Sequence, residues 1–389
     1  MALKVALVGN APPRLCGIAT FTSDLRLALR AQAYPPATSI VAMSEKRGVH
    51  DYPAGVIMEI EAQQKSEYVA AAERLNAARV DIVSLQHEYG IYGGESGSYI
   101  RAFLAALKAP VVSTLHTVLA APNLGQRRVL GSIIRKSAKV VVMAERARAI
   151  LRDLYATPSA KIHIIPHGAP DMPITDPELD KGGFGLSGRA VALTFGLLSP
   201  SKGIEVMIAA MAHIVRRAPN AIYVVLGATH PSLVAVEGER YRRSLEDLVA
   251  ALGLQEHVRF VDEFVDQPLL LRYIAAADVY VTPYLNQEQM TSGTLSYSFA
   301  LGKAIVSTPY WHAQELLDHG LGLIVPFGDV GATAHAVGDL LTDHRRRDAM
   351  RQRAYQSSRS MVWAQTGRQY LDVFASALHT RVSAQASAS

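Results

Sequence analysis

Several short apolar runs of this chain end in residues able to do chemistry. Residues 3–8 lead into Gly9-Asn10-Ala11-Pro12-Pro13-Arg14-Leu15-Cys16-Gly17, ahead of a helical stretch. A glycine at a helix start lets backbone N–H groups approach an anion, and the helix dipole adds to the field. Gly17 suits that task, and Arg14 offers a charge-assisted fork to a phosphate or carboxylate. A long β–α turn that needs glycine only for space is the alternative. G-x-G-x-x-G is absent, so this is no dinucleotide fingerprint.

Residues 81–85 run into Gln86-His87-Glu88-Tyr89-Gly90-Ile91-Tyr92-Gly93-Gly94. This polar and aromatic cluster suits a sugar, with His87, Glu88 and Tyr89 as its contacts and Glu88 as base or hydroxyl acceptor. The plainer reading is a turn in which His87 caps or packs. Residues 110–115 end at His116, either structural or a donor to a phosphate or substrate hydroxyl. Further on, residues 190–195 end in Gly196-Leu197-Leu198-Ser199-Pro200-Ser201-Lys202-Gly203 before a helix. Lys202 there suits a pyrophosphate; a solvated loop lysine is the alternative. Thr291, Ser292, Gly293 and Thr294 gather hydroxyl and amide donors at another helix start, again an anion site. One N-capping hydroxyl accounts for only one of them. Two anion sites suggest one diphosphate ligand held between two domains.

The elements that must hold these turns are legible as alternation. Apolar, β-branched runs at 3–8, 39–43, 81–85, 110–115, 139–143 and 161–165 are separated by stretches of helical period. The pattern breaks over residues 170–188, rich in Pro, Gly and Asp, and then resumes at 190–195, 221–226, 258–261, 279–282, 304–307 and 323–325. Such alternation predicts α/β architecture with two doubly wound parallel sheets, and ligands of such sheets bind beyond the carboxyl ends of the strands. The expected division is a first domain over 1–172, a linker over 173–188 and a second domain over 189–358. A helix over 359–380 would return to the first domain, followed by a disordered tail at 381–389.

The 389 residues suffice for two domains, and 49% apolar against 19% charged residues argues against disorder. No apolar run is long enough to span a bilayer, and no signal peptide is evident at the start. The single cysteine, Cys16, excludes an intramolecular disulfide and a cysteine-based zinc site, so a cytoplasmic location is expected. The net charge of +5 is local: residues 1–185 carry 21 basic and 16 acidic residues, and residues 100–161 alone carry 11 and 2. Residues 126–138, QRRVLGSIIRKSA, place apolar side chains on one side and Arg127, Arg128, Arg135 and Lys136 around it. They form either a sheet-covering helix with a basic outer face or a peripheral contact with an anionic membrane. A nucleic-acid partner is not expected, because the basic segment lacks interleaved aromatics. P-loop, G-x-S-x-G and H-E-x-x-H motifs are absent, as is an Asp-x-Asp to hold a metal on a nucleotide.

The set of turns resembles the GT-B glycosyltransferases, in particular the large retaining, family 4-like group that includes sucrose synthase and bacterial mannosyltransferases. The resemblance rests on Pro12-Pro13-Arg14-Leu15-Cys16-Gly17, on His116 in Ser113-Thr114-Leu115-His116-Thr117, on Phe195-Gly196 through Lys202-Gly203, on residues 300–308 (ALGKAIVST) and on residues 322–329 (GLIVPFGD). It implies two Rossmann-like domains facing across a cleft and retaining transfer of a hexose from a UDP- or GDP-linked sugar to a saccharide or lipid-linked acceptor. It also implies metal independence and no cofactor. Lys202 would hold the donor diphosphate together with Gly17 and Gly196, and His116 would contact the donor sugar. Counting back from Gly302, the family's paired glutamates fall on Gln289 and Tyr297, with Glu288 able to replace the first after a one-residue shift. Leu197 stands where the family has arginine. A glycoside phosphorylase, a sugar-nucleotide epimerase and a non-catalytic binding homologue are the alternatives.

Overall fold

A computed structural model of the chain describes residues 2–386. Its described residues form two compact units. One comprises the chain up to Gly168 together with the segment from Trp363 onward, and the other comprises Ala169–Val362.

The first unit is built on a seven-stranded sheet of β1 (Lys4–Gly9), β2 (Ala37–Ser44), β3 (Val56–Glu61), β4 (Ile82–His87), β5 (Val111–Leu115), β6 (Lys139–Val142) and β7 (Ile162–Ile164). All neighbours pair in parallel, in the order β3-β2-β1-β4-β5-β6-β7. Parallel strands need crossovers that cover both sheet faces, so their sequences read as continuous apolar runs. Leu7 and Val5 of β1 pack against Phe21 and Leu25 of the helix Gly17–Arg30 and against Tyr370 and Phe374 of the last helix.

The second unit repeats the plan with β8 (Ala190–Phe195), β9 (Ala221–Leu226), β10 (Val258–Val261), β11 (Val279–Thr282), β12 (Ala304–Ser307) and β13 (Leu323–Ile324), in the order β10-β9-β8-β11-β12-β13. One face buries the helices Ile204–Ile214 and Val330–Thr342, and the other buries Gly293–Ala300. In each sheet the chain order reverses beside the first strand, between β1 and β4 and between β8 and β11. That reversal opens a crevice at the strand carboxyl ends.

Two expectations about the connections are corrected. The expected linker at 173–188 carries the helical turns Glu178–Lys181 and Gly182–Phe184 and lies within the second unit. Lys181 in this stretch is buried and pairs with Asp278 at 2.9 Å, so the segment packs as part of the second unit. The apparent lack of period arises because these are single turns held by polar contacts. At the other end, residues 359–362 stay with the second unit as the turn Arg359–Met361, and the last helix runs Trp363–Ala386. Residues 381–386 of the expected disordered tail are therefore helical, and 387–389 lie outside the described residues. That helix docks in the first unit through Tyr370, whose hydroxyl meets Thr114 Oγ1 at 2.9 Å, and through Trp363, which packs edge-on to Phe21.

Candidate functional site at the strand carboxyl ends

In the first unit, the turns after β1, β4 and β5 converge. Gly9 lies so close to Gln86 that a Cβ on it would come within 2.9 Å of the Gln86 Cβ. The amide of His116 donates to the His87 carbonyl at 3.0 Å, and Phe21 packs edge-on to the His116 ring with centroids 4.8 Å apart. His116 Nε2 lies 3.0 Å from Gln86 Oε1, while Gln86 Nε2 donates to Ser84 Oγ at 3.2 Å. His116 is thus hydrogen-bonded through Nε2 to the Gln86 amide, with donor and acceptor set by the ring tautomer. Burial, reinforced by His167 and His87, pushes His116 down to about 3, so the ring is neutral near pH 7. Its Nδ1 makes no hydrogen bond among the described residues, which leaves it as the ring nitrogen able to meet a substrate.

Glu88 accepts from the Tyr89 amide at 2.8 Å and from the Thr117 hydroxyl. Burial raises its carboxyl against both bonds. Arg14 is bound to Glu45 at 2.7 Å and to Asn10 Oδ1 at 3.2 Å, so its charge is already partly countered. Gly17 is exposed, with open space where a Cβ would stand, at a helix start whose Cys16 makes no capping bond. Tyr89 is half-buried beside the His87 ring, 4.8 Å between centroids. His87 is fully buried between Tyr89 and Tyr92, with both ring nitrogens unbonded, and burial holds it down at about 3. Its expected contact with an acceptor is corrected to a packing role, because β4 turns the side chain inward.

In the second unit the convergence is tighter. Gly196, with φ +117°, sits against Thr294: a Cβ there would lie 3.2 Å from Thr294 Cγ2. Gly203, with φ +63°, follows Lys202, and a Cβ on it would lie 2.1 Å from the Pro283 carbonyl oxygen. Only glycine fits this left-handed position and lets the Lys202 turn close onto the turn after β11. Lys202 Nζ donates to Tyr284 Oη at 2.8 Å. Thr294 Oγ1 lies 3.0 Å from that hydroxyl, 2.8 Å from the Tyr280 hydroxyl and 3.1 Å from Ser292 Oγ.

Ser292 caps the helix Gly293–Ala300 by accepting from the Leu295 amide. Its own amide is taken by His312 Nδ1 at 2.9 Å, so the anion-binding amides left at this helix start are those of Gly293 and Thr294. Gln289 turns back to the Thr291 carbonyl at 2.6 Å, and Glu288 is exposed with no side-chain bond. Tyr297 is packed in the core of the unit, its hydroxyl reached by Gln267 at 3.5 Å, and is corrected from a donor contact to a core residue.

A further cavity lies elsewhere. It measures about 910 Å³ and lies at the amino ends of β8 and β9, beside Lys181, Arg189, Arg347 and Asp278. Lys181 and Arg347 pair there with Asp278, and Arg189 donates to three backbone oxygens. That makes it an ion-pair network supporting the strand starts.

The comparisons with known proteins match both doubly wound units. Residues 178–357 match the family of glycosyl transferases group 1, and residues 64–171 match glycosyltransferase family 4. The second unit thus matches the group 1 glycosyltransferases, and the chain has the two-unit plan of the GT-B type. Its relatives include a D-inositol 3-phosphate glycosyltransferase of Kineococcus radiotolerans, 27% identical over 70% of this chain and 67% of the relative. Another is a GDP-mannose-dependent alpha-(1-6)-phosphatidylinositol monomannoside mannosyltransferase of Mycolicibacterium smegmatis, 30% identical over 56% of each chain. The matched stretch thus spans about half to two thirds of these curated relatives. Anabaena HepE, solved in complex with UDP and glucose, shares the fold with a TM-score of 0.75 at 16% identity, over 96% of this chain and 100% of that one.

The candidate site contains residues that sequence reasoning passed over. Tyr280, Tyr284 and His312 had no functional signal of their own. A polar Gln86 within a strand buried on both faces was the one available hint.

Proposed function

We propose that the chain transfers a hexose from a UDP- or GDP-linked sugar to a saccharide or lipid-linked acceptor, with retention and without a metal. The second unit would hold the donor diphosphate, and the first unit the acceptor and the reacting sugar. The observation that carries this reading is the convergence of Lys202, Gly196 and the helix start at Thr294 on one point. As the glycosidic bond to the diphosphate breaks, negative charge grows on the leaving oxygens. A fixed ammonium and two helix-start amides stabilise that charge without needing to reorganise. His116 Nδ1 meets a sugar hydroxyl, and the Glu88 carboxyl accepts from an incoming hydroxyl.

A thermal-shift screen of UDP- and GDP-sugars against phosphate with disaccharides tests the assignment. A nucleotide sugar at a hundred times its Kd should stabilise the protein by about 2.7 kcal/mol, read as a rise in melting temperature. A rise with phosphate and a disaccharide alone would assign a phosphorylase instead. Tight binding of a nucleotide sugar without turnover would assign a binding homologue.

The basic segment enters the proposal in altered form. Val129, Leu130, Ile133 and Ile134 are buried in the helix Leu124–Lys136, so an apolar face is not available for insertion. Arg127, Arg128, Arg135 and Lys136 remain exposed, as does Leu124. No helix among the described residues is long and apolar enough to cross a membrane. The proposed membrane contact is therefore electrostatic, at about 1 kcal/mol per basic side chain near an anionic surface, and screened by salt. Flotation with anionic liposomes should recover the protein at low salt and release it at high salt; absence of binding at low salt removes the membrane from the proposal.

A further inference from the structure

Lys202 is the only cation in the turns 196–203 and 283–294. A lysine side chain is flexible, and an ammonium that must meet a diphosphate works best when it is already held in place. Tyr284 supplies the hold. Its ring is 2% exposed and stacked on Tyr310 at 5.1 Å, so the phenol cannot swing away. The Lys202 ammonium donates to its oxygen at 2.8 Å.

The bonds then form one network. An ammonium can only donate, so the phenol oxygen accepts from Lys202, and the same hydroxyl shares a hydrogen bond with Thr294 Oγ1 at 3.0 Å. Tyr280 donates to the same oxygen at 2.8 Å. Thr294 Oγ1 in turn lies 3.1 Å from Ser292 Oγ, which accepts from the Leu295 amide, so the network ends at the helix start.

We propose that Tyr284 is a positioning residue of the donor site, which fixes the Lys202 ammonium and orients the Thr294 and Ser292 hydroxyls toward a bound diphosphate. The inference rests on the donor reading above. It also gives diphosphate binding a dependence on alkaline pH. Burial pushes the Tyr284 phenol up, but the Lys202 ammonium and the Thr294 and Ser292 hydroxyls outweigh it and bring it below the ordinary phenol range. Loss of that proton would set a phenolate against the Lys202 ammonium and leave the Tyr284 oxygen able only to accept. The other titratable groups around it are Tyr280 on β11, Tyr310 after β12, Tyr223 on β9 and, facing Lys202, His230. Burial raises the three phenols, so they stay protonated where Tyr284 ionises.

The test is calorimetric titration of UDP, GDP, UMP and GMP into the wild type, Tyr284→Phe and Lys202→Ala between pH 7.5 and 9.5. The variant Tyr284→Phe should bind the preferred diphosphate about tenfold more weakly, the effect of one lost charge-assisted bond. Its affinity for the monophosphate should change less than twofold, and the alkaline fall in diphosphate affinity seen in the wild type should disappear. Equal weakening of mono- and diphosphate with the alkaline fall intact would make Tyr284 merely structural and overturn the proposal. So would an unchanged Tyr284→Phe beside a Lys202→Ala variant that has lost binding.

Should the variant not fold, the wild type itself answers through the near-ultraviolet phenolate band. By reciprocity, saturating diphosphate must raise the pH at which the first tyrosine ionises, and no shift overturns the proposal. A wild type that binds UDP and GDP no better than UMP and GMP overturns the donor reading, and this inference with it.

Discussion

Lys202→Ala is expected to lower turnover by about two to three orders of magnitude, the usual cost of removing one preorganised donor to a developing anion. No other cation of these two turns can take its place, and Leu197, on the same turn, offers no charge. Stability should fall little, because the ammonium is half-exposed and its removal leaves only the Tyr284 hydroxyl short of a partner, at about 1 kcal/mol. Steady-state kinetics with the donor identified by thermal shift measures the effect, and the melting temperature of the variant confirms that it is folded. The loss should fall mainly on kcat, since charge on the diphosphate grows as the bond breaks. Near-normal turnover would remove Lys202 from the chemistry.

The second large effect is on stability in acid. Burial pushes His87 and His116 down to about 3, and His167 to about 4 despite the help of the Gly168 carbonyl. In the unfolded chain each titrates near 6.5, so below that pH the unfolded state binds protons that the folded state refuses. Their contribution is complete above pH 6.5 and is lost progressively as the pH falls toward 3. At pH 5 the loss is about 2 kcal/mol for each imidazole. All three lie in the first unit, so that unit should unfold first.

The two tryptophans make this measurable, because Trp363 belongs to the first unit and Trp311 to the second. Urea unfolding of a Trp311→Phe variant, followed by Trp363 fluorescence, should show a midpoint far lower at pH 5 than at pH 7.5. His87→Leu should recover part of the difference, since it removes a buried ring whose nitrogens have no partner. A midpoint unchanged between the two pH values would mean that these histidines are not shielded as the packing requires.

The fold was legible because it is made of parallel strands buried on both faces. Runs such as 190–195 and 304–307 appear in the structure as β8 and β12 at those same positions. The exception is β3, Val56–Glu61, which the apolar runs did not disclose. It pairs only with β2 and keeps Ile57 exposed, so its sequence VIMEIE mixes charge with apolar residues as a sheet edge allows. The single-turn helices at 178–184 escaped for the opposite reason, being too short to show a period.

The candidate site was legible at its turns and illegible in its contacts. Gly17, Gly196, Lys202 and Ser292 stand where a glycine or donor beside a helix start must stand in a doubly wound sheet, and chain order alone locates such turns. Tyr297 was placed at the site by counting along the chain, yet the helix Gly293–Ala300 turns it into the core. His87 follows the same rule on β4, where alternation sends it inward and Gln86 to the imidazole of His116.

The sequence by itself determined two doubly wound sheets and which turns lie at their carboxyl ends, because periodicity and glycine placement are local properties of the chain. Only the tertiary structure decided that His116 is buried and neutral against Gln86, and that Lys202 is held by Tyr284, 82 residues away. Protonation, tautomer and hydrogen-bond direction depend on burial and on partners distant in the chain, and no local pattern encodes these.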